Sequence, residues 1–236
     1  IWYESLESTN SELRKQVESL DNLSIIAAKR QTSGRGQGDH KWFSSPETNL
    51  TFSILLKFAP GELKATDEQI INSFATPTIR SFLAEEGVES RVKLPNDIYV
   101  GARKICGMLI SIKVSCVGLS HAICGIGLNI NQTLFPEWVP NPISLKQITG
   151  EDYDIKKCLE ELIESVQARY EEILMPSLQE AYLARLFRNN EPGQYIYKDQ
   201  LMAATIVGIN HYGQLLLQPA EGEVVACNLK EVQYVL

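Results

Sequence analysis

Two long apolar stretches separated by one tight turn constrain the fold of this chain more than any other feature. Lys104–Val117 and Leu119–Asn131 are rich in apolar and β-branched residues, and Gly118 lies between them. Strands joined by so short a connection pair antiparallel, because a parallel pair needs a crossover of about a dozen residues or more. The sequence therefore predicts a long antiparallel hairpin.

Other segments predict strands and helices around this hairpin. Strands are expected at Ser24–Lys29, Asn49–Phe58 and Ile98–Arg103, the last turning on Gly101-Ala102. Helices are expected from the capping box Thr9–Glu12 onward, over Asp67–Glu86, and over Asp154–Phe187 with a break near Met175-Pro176. Pro77 should kink or interrupt the second helix, and Asn131–Tyr153 reads as a connecting segment. The pattern is α+β, a mixed, mostly antiparallel sheet flanked by helices.

The composition changes from about residue 189 onward. Short β runs are expected at Ala203–Asn210, Gln214–Gln218, Val224–Cys227 and Val232–Leu236, with turns at His211–Gly213 and Glu221-Gly222. Such short strands predict a small five-stranded barrel appended to the main domain. We therefore expect two domains, residues 1–187 and 188–236.

Charge and cysteine usage exclude several classes of protein. The formal net charge is −7, opposite in sign to a surface that binds duplex DNA through its phosphates. The five cysteines are scattered singly and the three histidines lie far apart, which favours buried free thiols over disulfides or a zinc site. No apolar run reaches the roughly 20 residues of a membrane span, and Ile1–Glu4 lacks the basic residues of a signal peptide. We expect a soluble, cytoplasmic protein that binds neither DNA nor a membrane.

The loop Gln31–Trp42 is the most informative segment for function. Gly34, Gly36 and Gly38 allow the backbone to approach a ligand closely. Arg35 can present its planar guanidinium to a carboxylate or phosphate. Taken alone, the loop fits an ordinary solvated surface loop better than a ligand site.

Three further motifs carry polar groups or glycines in positions suited to a ligand. Asn96, behind the proline of Lys93–Asp97, can bond an adenine edge, although an ordinary turn fits the same residues. Lys104 on a strand is held more rigidly than a loop lysine, as charge stabilisation requires, although an exposed edge lysine is the simpler interpretation. Gly125 and Gly127 predict a flat backbone floor beneath a ligand. Ile130 interrupts G-x-G-x-x-G, which disfavours a dinucleotide site.

Together these motifs, in this order, resemble the catalytic domain of the biotin–protein ligases. The resemblance covers residues 1–187 and rests on ESTN, QTSGRG, KLPND, RKICGML and GIGLN, beginning at Glu7, Gln31, Lys93, Arg103 and Gly125. It implies a class II synthetase-like fold with an SH3-like C-terminal domain. It also implies ATP-dependent conversion of biotin to biotinyl-5'-AMP, and transfer of biotin to a lysine of a biotin carboxyl carrier domain. Magnesium is expected on the ATP phosphates, with no metal ligands among the side chains.

The resemblance also assigns roles to individual residues. Lys104 would bridge the biotin carboxylate and the α-phosphate, and Arg35 would join it as a catalytic cation. Adenylate contacts would come from Trp42, Asn96, Asp97 and Asn129. The biotin site would comprise Arg35 and Lys104 together with Ser8, Thr9, Asn10, Gln31, Gly34, Gly36, Gln37, Gly107, Leu109, Gly125, Gly127 and Leu128.

The chain departs from the family pattern at several positions. In the glycine-rich loop, Gln37 and His40 replace arginines and Asp39 replaces a glycine. Leu94 stands where tryptophan is usual, and Ser111 where an acid is frequent. The loop QTSGRG followed by Lys41-Trp42 disfavours a lipoate–protein ligase, which shares the fold, and a non-catalytic biotin-binding module is the remaining alternative. We expect the form without an N-terminal helix-turn-helix, hence no repressor function, and homodimers are possible.

Overall fold

A computed structural model describes residues 1–38, 40–65, 67–210, 213–228 and 231–235. The chain forms one seven-stranded mixed sheet flanked by helices and a second, five-stranded antiparallel sheet. The predicted α+β class is therefore confirmed. None of the described helices is long and apolar enough to cross a membrane.

The first sheet contains the predicted hairpin at its centre. Its strands are β1 (Trp2–Tyr3), β2 (Ile25–Ala28), β3 (Leu50–Lys57), β4 (Arg91–Lys93), β5 (Asp97–Val100), β6 (Arg103–Ser115) and β7 (Gly118–Leu128). They follow the order β1-β2-β3-β7-β6-β5-β4, and only β1 and β2 pair parallel among the described strands. The hairpin β6–β7 confirms the strongest expectation from the sequence.

The turn of this hairpin differs in detail from the prediction. Cys116 and Val117 form the turn, whereas Gly118 is already the first residue of β7. Gly118 has a φ of 122°, a backbone conformation that residues with a Cβ atom rarely adopt. A Cβ atom there would also lie 2.2 Å from the carbonyl oxygen of Leu63. The glycine is thus required at the start of the strand, not in the turn.

Five helices lie in the described residues: α1 (Thr9–Gln16), α2 (Glu68–Glu85), α3 (Leu145–Thr149), α4 (Ile155–Tyr170) and α5 (Pro176–Leu183). The expected break near Met175-Pro176 is confirmed. The N-cap of α1 is Ser8 and not Thr9, since the Ser8 hydroxyl accepts from the amide of Ser11.

Pro77 was expected to kink or interrupt its helix: the interruption is wrong, and the kink stays a prediction. Helix α2 runs through Pro77, although proline leaves the carbonyl of Ser73 without its usual partner. The hydroxyls of Thr76 and Thr78 donate to the neighbouring carbonyls in the preceding turn at 2.8 Å. A proline inside a helix costs about 3 kcal/mol, while each large apolar side chain that α2 buries contributes roughly 1.5–3 kcal/mol. Packing therefore outweighs the local penalty.

The interpretation of Asn131–Tyr153 as a connecting segment is also incomplete, because it contains α3. This helix begins at a capping box in which Ser144 and Gln147 satisfy each other's backbone amides. It ends at Gly150 in the left-handed conformation, with φ 84°. Five residues are too few to show a helical repeat, so the capping box was the only available signal.

The second sheet has the predicted number of five strands, but the sequence located only four of them and missed β8. They are β8 (Pro192–Tyr197), β9 (Gln200–Ile209), β10 (Leu215–Pro219), β11 (Val225–Cys227) and β12 (Val232–Tyr234), in the order β11-β10-β9-β8-β12. No β11–β12 pairing occurs in the described residues, so closure to a barrel stays a prediction. Of the expected turns, His211 and Tyr212 lie outside the described residues.

The apolar cores link the two sheets. The main core packs α2 and α4 against β3, β6 and β7. A second core fills the five-stranded sheet with residues such as Ile206 and Leu217, and it also includes Val92 and Leu94 beside β4. The backbone of β4 bonds the segment before β8, through Val92 N to Arg185 O at 2.9 Å. The C-terminal sheet is therefore packed onto the turn between β4 and β5.

Candidate functional site

A cavity of about 460 Å³ lies above the glycine-rich face of β6 and β7. The N-terminus of α1, the loop 31–42, the turn between β4 and β5, and strand β12 surround it. Its lining comprises Ser8, Thr9, Asn10, Gln31, Arg35, Gly36, Gln37, His40, Lys41, Trp42, Lys93, Leu94, Pro95, Asn96, Asp97, Tyr99, Lys104, Gly107, Met108, Leu109, Gly125, Ile126, Gly127, Pro140, Val232, Gln233 and Tyr234.

One end of the cavity is a buried network of neutral hydrogen-bonding groups. The Gln31 side-chain oxygen accepts from the Thr9 amide at 2.8 Å. Ser53 on β3 lies within 2.8 Å of the Thr9 hydroxyl and donates to Asn10 Oδ1 at 2.6 Å. Asn10 Nδ2 in turn donates to the carbonyl of Leu109 at 3.0 Å. Such a network can recognise a neutral polar ring by paired donors and acceptors.

Three glycines make the sheet flat beneath the cavity. Gly107 lies opposite Gly127 in the β6–β7 ladder, and Leu109 lies opposite Gly125. A Cβ on Gly125 would lie 2.3 Å from Asn10 Oδ1, and one on Gly127 would lie 2.2 Å from Trp42 Cε2. The indole of Trp42 thus lies directly on the strand backbone, where a side chain at position 127 would exclude it.

Lys104 projects into the cavity from β6. Its Nζ lies 2.7 Å from Asp97 Oδ2 and 5.8 Å from the centroid of the Trp42 ring. The main chain of Lys104 is also hydrogen-bonded on the side opposite β5, where its amide donates to Asn141 O at 2.7 Å. Asn129 Nδ2 donates to the carbonyl of Ile143 at 3.0 Å and lies 3.5 Å from that of Lys104. The lysine is consequently held by the sheet and by Asn129 behind it.

The glycine-rich loop forms a narrow ribbon over this cavity. Arg35 and Lys41 form an antiparallel bridge. Gly36 N donates to His40 O at 2.8 Å, and Trp42 N donates to Gly34 O at 3.1 Å. Arg35, Gly36 and Gln37 therefore face the cavity together. Asp39, one of the departures from the family pattern, lies outside the described residues.

The structure brings together all but three of the residues singled out from the sequence. Gly34 lies outside the lining, and a Cβ there would be 2.4 Å from the Trp42 carbonyl oxygen. Leu128 is fully buried in the main core. Asn129 is buried behind Lys104. The individual roles assigned to the residues stay predictions.

Sequence reasoning missed the side of the cavity formed by the C-terminal sheet. Lys93 and Tyr99 face Val232, Gln233 and Tyr234 of β12 across the cavity. Ser53 was missed as well, and a serine in the middle of an apolar strand was its only signal. The sequence predicts β12 as a strand, but no local pattern marks it as part of the site, because its contacts with Lys93 are distant in sequence.

The arrangement suits the binding of anions beside a neutral polar group. Arg35, Lys41, Lys93 and Lys104 supply positive charge, and Asp97 is the only acidic side chain among the described lining residues. No group of three or more His, Cys, Asp or Glu residues suited to a metal ion occurs in the described part of the chain. The site can therefore bring two anionic groups together by cationic side chains and hydrogen bonds.

Comparisons with known proteins give the family and the fold of the chain. A profile of the biotin/lipoate A/B protein ligase family matches residues 2–129. The bifunctional ligase/repressor BirA of Bacillus spizizenii is 25% identical over 84% of the chain, which spans only 62% of that relative. The biotin–[acetyl-CoA-carboxylase] ligase of Paracoccus denitrificans is 25% identical, with 93% of the chain and 94% of the relative covered. The structure of the biotin protein ligase of Aquifex aeolicus in complex with biotin and ATP superposes with a TM-score of 0.79 at 25% sequence identity. The match covers 99% of this chain and 97% of the Aquifex chain.

Proposed function

This chain belongs to the biotin/lipoate A/B protein ligase family, and we propose that it is an ATP-dependent biotin–protein ligase. It would convert biotin and ATP to biotinyl-5'-AMP and pyrophosphate, and then transfer the biotinyl group to a lysine of a biotin carboxyl carrier domain. The observation that carries the proposal is the cavity in which Lys104 and Arg35 lie beside a glycine floor and a neutral polar network. Relatives named for this activity, including the Paracoccus enzyme, support it.

The first step joins two anions, and the cations of the site would make it possible. The biotin carboxylate attacks the α-phosphorus of ATP, a P–O bond forms, and pyrophosphate leaves with the electrons of the broken bond. Lys104 would contact both the carboxylate and the α-phosphate, and Arg35 would close over them from the ribbon. Preorganised charges of this kind stabilise the developing negative charge without reorganising at the moment of reaction.

In the free protein the Asp97 carboxylate pairs with Lys104 at 2.7 Å. Both side chains are about one quarter exposed, so the pair is weak enough to be exchanged for a ligand anion. Asp97 would then be free to bond the nucleotide, while Lys104 turns to the reacting groups. The ion pair would thereby keep the lysine in place before substrates arrive.

The remaining contacts divide between the two ends of the cavity. Biotin would lie on the floor of Gly107, Gly125 and Gly127 after displacing the Trp42 indole, which lies against Gly107 and Gly127 in the free protein. Its ureido ring would lie at the network of Ser8, Thr9, Asn10 and Gln31. The adenylate would lie against Trp42, whose buried Nε1 has no hydrogen-bond partner in the described residues, and against Asn96. Leu128 and Asn129 would act from behind the floor, through packing and through the Lys104 backbone.

The nucleotide would enter as its magnesium complex, and the metal would neutralise part of the phosphate charge. In the second step the neutral amine of the carrier lysine attacks the acyl carbon of the mixed anhydride. AMP leaves with the phosphate oxygen, and an amide bond forms. No covalent bond to the enzyme is required in either step.

Several wider properties accompany the proposal. With a net charge of −7 we infer no dominant electrostatic binding of duplex DNA by this chain. We also propose a cytoplasmic location, and a homodimer is one of the oligomeric states that the proposal allows. Sedimentation of the purified protein with and without biotin would measure the oligomeric state.

Mass spectrometry of a carrier domain provides the direct test. The carrier is incubated with the protein, biotin and Mg-ATP, and one biotinyl addition at one lysine is expected. Lipoic acid in place of biotin separates the two activities of the family, and it should give no addition. Absence of both pyrophosphate release and transfer to the carrier would contradict the ligase and favour a non-catalytic module that only holds biotin or biotinyl-AMP.

A further inference from the structure

Lys93 is a cation of the cavity that the proposed mechanism leaves without a role. It is half-buried at the end of β4 and lines the cavity beside Asn96 and Tyr99. Asp97, the acidic residue closest in the turn, is paired with Lys104. Among the described residues no carboxylate lies within salt-bridge distance of Lys93. An ammonium group withdrawn from water without a counter-ion favours an anion that can enter the cavity.

Aromatic rings hold this ammonium from two sides. Lys93 Nζ lies 4.9 Å from the centroid of the Tyr99 ring and 5.1 Å from that of Tyr234. It also donates to the Tyr99 hydroxyl at 3.4 Å. Burial lowers the pKa of Lys93 and raises that of Tyr99 to about 12, so the tyrosine remains a neutral partner. Two ring faces can stabilise a cation while leaving its charge available to a further ligand.

Tyr234 is fixed in turn by the second sheet. Its ring lies 5.3 Å from that of Tyr195 and 6.0 Å from that of Phe187. Strand β12 pairs with β8, with Tyr234 opposite Tyr195. The Tyr234 hydroxyl is buried and has no hydrogen-bond partner in the described residues. The C-terminal sheet therefore presents a rigid aromatic face, with an unused donor, at the edge of the cavity.

We propose that Lys93, clamped between Tyr99 and Tyr234, is the subsite for the leaving pyrophosphate portion of ATP, and that Tyr234 is its positioning residue. The inference rests on the proposed function and assigns the C-terminal sheet a direct part in nucleotide binding. Lys104 and Arg35 act on the reacting carboxylate and α-phosphate, so the lining cations left for the outer phosphates are Lys41, which is exposed on the ribbon, and the half-buried Lys93. Of the two, Lys93 supplies the more buried charge, on the side of the turn that faces β12.

The test separates ATP binding from biotin binding. Tyr234→Leu removes the ring face, and the KM for Mg-ATP in pyrophosphate release should rise roughly threefold to tenfold. The KM for biotin should change less than twofold. Lys93→Met should raise the KM for Mg-ATP at least as much, while Tyr234→Phe, which keeps the ring, should stay within about threefold of the parent. Inorganic pyrophosphate, titrated calorimetrically without biotin, should bind more weakly to both Tyr234→Leu and Lys93→Met.

Tyr197→Leu is the matched control. Tyr197 is also partly buried against the second core and also has a lysine, Lys198, over its ring at 5.0 Å. It does not belong to the described lining of the cavity. Tyr197→Leu should keep the parent KM for Mg-ATP and should lose about as much stability as Tyr234→Leu loses.

Several outcomes would overturn the inference. It would be wrong if Tyr234→Leu and Lys93→Met left the KM for Mg-ATP unchanged. It would also be wrong if the KM values for ATP and biotin rose equally, or if only the KM for the carrier domain changed. If Tyr234→Leu does not fold, Lys93→Met and the pyrophosphate titration decide alone. A parent protein that forms no pyrophosphate from biotin and Mg-ATP would instead contradict the proposed function, so the two failures are distinguishable.

Discussion

At the scale of single residues, the chemistry depends on where Lys104 is held. Its strand places it in the cavity, and Asn129 and Asn141 fix its backbone. Lys104→Ala should therefore lower the rate of adenylate formation by roughly 10²–10³, the usual effect of removing one preorganised electrostatic contact. Stability should change little, because the partly exposed pair with Asp97 contributes about 0–1 kcal/mol. Pyrophosphate release under single-turnover conditions measures the first effect, and thermal unfolding the second.

Lys113→Ala on the same strand is the control for this prediction. Lys113 is exposed near the far end of β6, so its removal should leave the rate unchanged. A Lys104→Ala variant that releases pyrophosphate as fast as the Lys113→Ala variant would show that Lys104 does not contact the reacting groups.

Gln37 carries a second prediction at this scale. It faces the cavity from the exposed ribbon, where the family commonly has arginine. A hydrogen bond to a charged donor contributes roughly 1.5–3 kcal/mol, against roughly 0.5–1.5 kcal/mol for a neutral one. Gln37→Arg should consequently slow the dissociation of preformed biotinyl-AMP by several-fold to about thirty-fold, with the lower end expected because water screens the site.

Stopped-flow dissociation at fixed salt measures this effect. Gln37→Glu reverses the added charge and should accelerate release. Equal dissociation rates for the parent, the arginine and the glutamate variants would mean that position 37 is remote from the phosphate.

At the scale of elements, strands β6 and β7 contribute to the site through glycines, which have no side chains to block it. Gly127→Ala would place a Cβ 2.2 Å from Trp42 Cε2 and 2.4 Å from its Nε1. Overpacking of this kind costs about 1–3 kcal/mol, so the affinity for biotinyl-AMP should fall roughly fivefold to a hundredfold. Isothermal titration with the adenylate, or with a non-hydrolysable analogue, measures it.

A double-mutant cycle with Trp42→Ala identifies the cause. If the new methyl group acts by displacing the indole, Gly127→Ala should cost much less affinity in the Trp42→Ala background than in the parent. The same loss in both backgrounds would mean that the methyl group obstructs the ligand itself.

The elements also show what a sequence can and cannot predict. The β6–β7 hairpin, the break before Pro176 and the glycine floor were predictable, since each is set by residues adjacent in the chain. The course of α2 through Pro77 was not, because burial against the sheet outweighs the local penalty. Helix α3 was missed because it is shorter than two helical turns. The contact of Lys93 with Tyr234 joins two distant segments and leaves no periodic pattern.

At the scale of the whole molecule, the expected boundary at residues 187 and 188 crosses a shared core. Val92 and Leu94 of the first sheet, and Tyr182 and Leu186 before the boundary, belong to the same cluster as Leu215 and Leu217 of the second sheet. The buried Tyr182 hydroxyl also donates to Pro95 O at 2.7 Å. A structural boundary that cuts a core in this way favours one cooperative unit over two independent ones.

Leu217→Ala tests that cooperativity. Leu217 is fully buried in β10, so its truncation should lower the free energy of unfolding by about 2–5 kcal/mol. Because the core is shared, the loss should extend to the turn between β4 and β5. Hydrogen exchange should therefore accelerate at the amides of Val92 and Phe187, which lie before the boundary and donate to Arg185 O and Val92 O, and not only within the second sheet. Urea unfolding should stay a single transition. Tryptophan fluorescence, which reports on the main domain because all three tryptophans lie there, and hydrogen exchange in β8–β10 should show the same midpoint. Two separated transitions, or faster exchange confined to residues after 188, would show that the C-terminal sheet folds on its own and that its contact with Lys93 is made by docking.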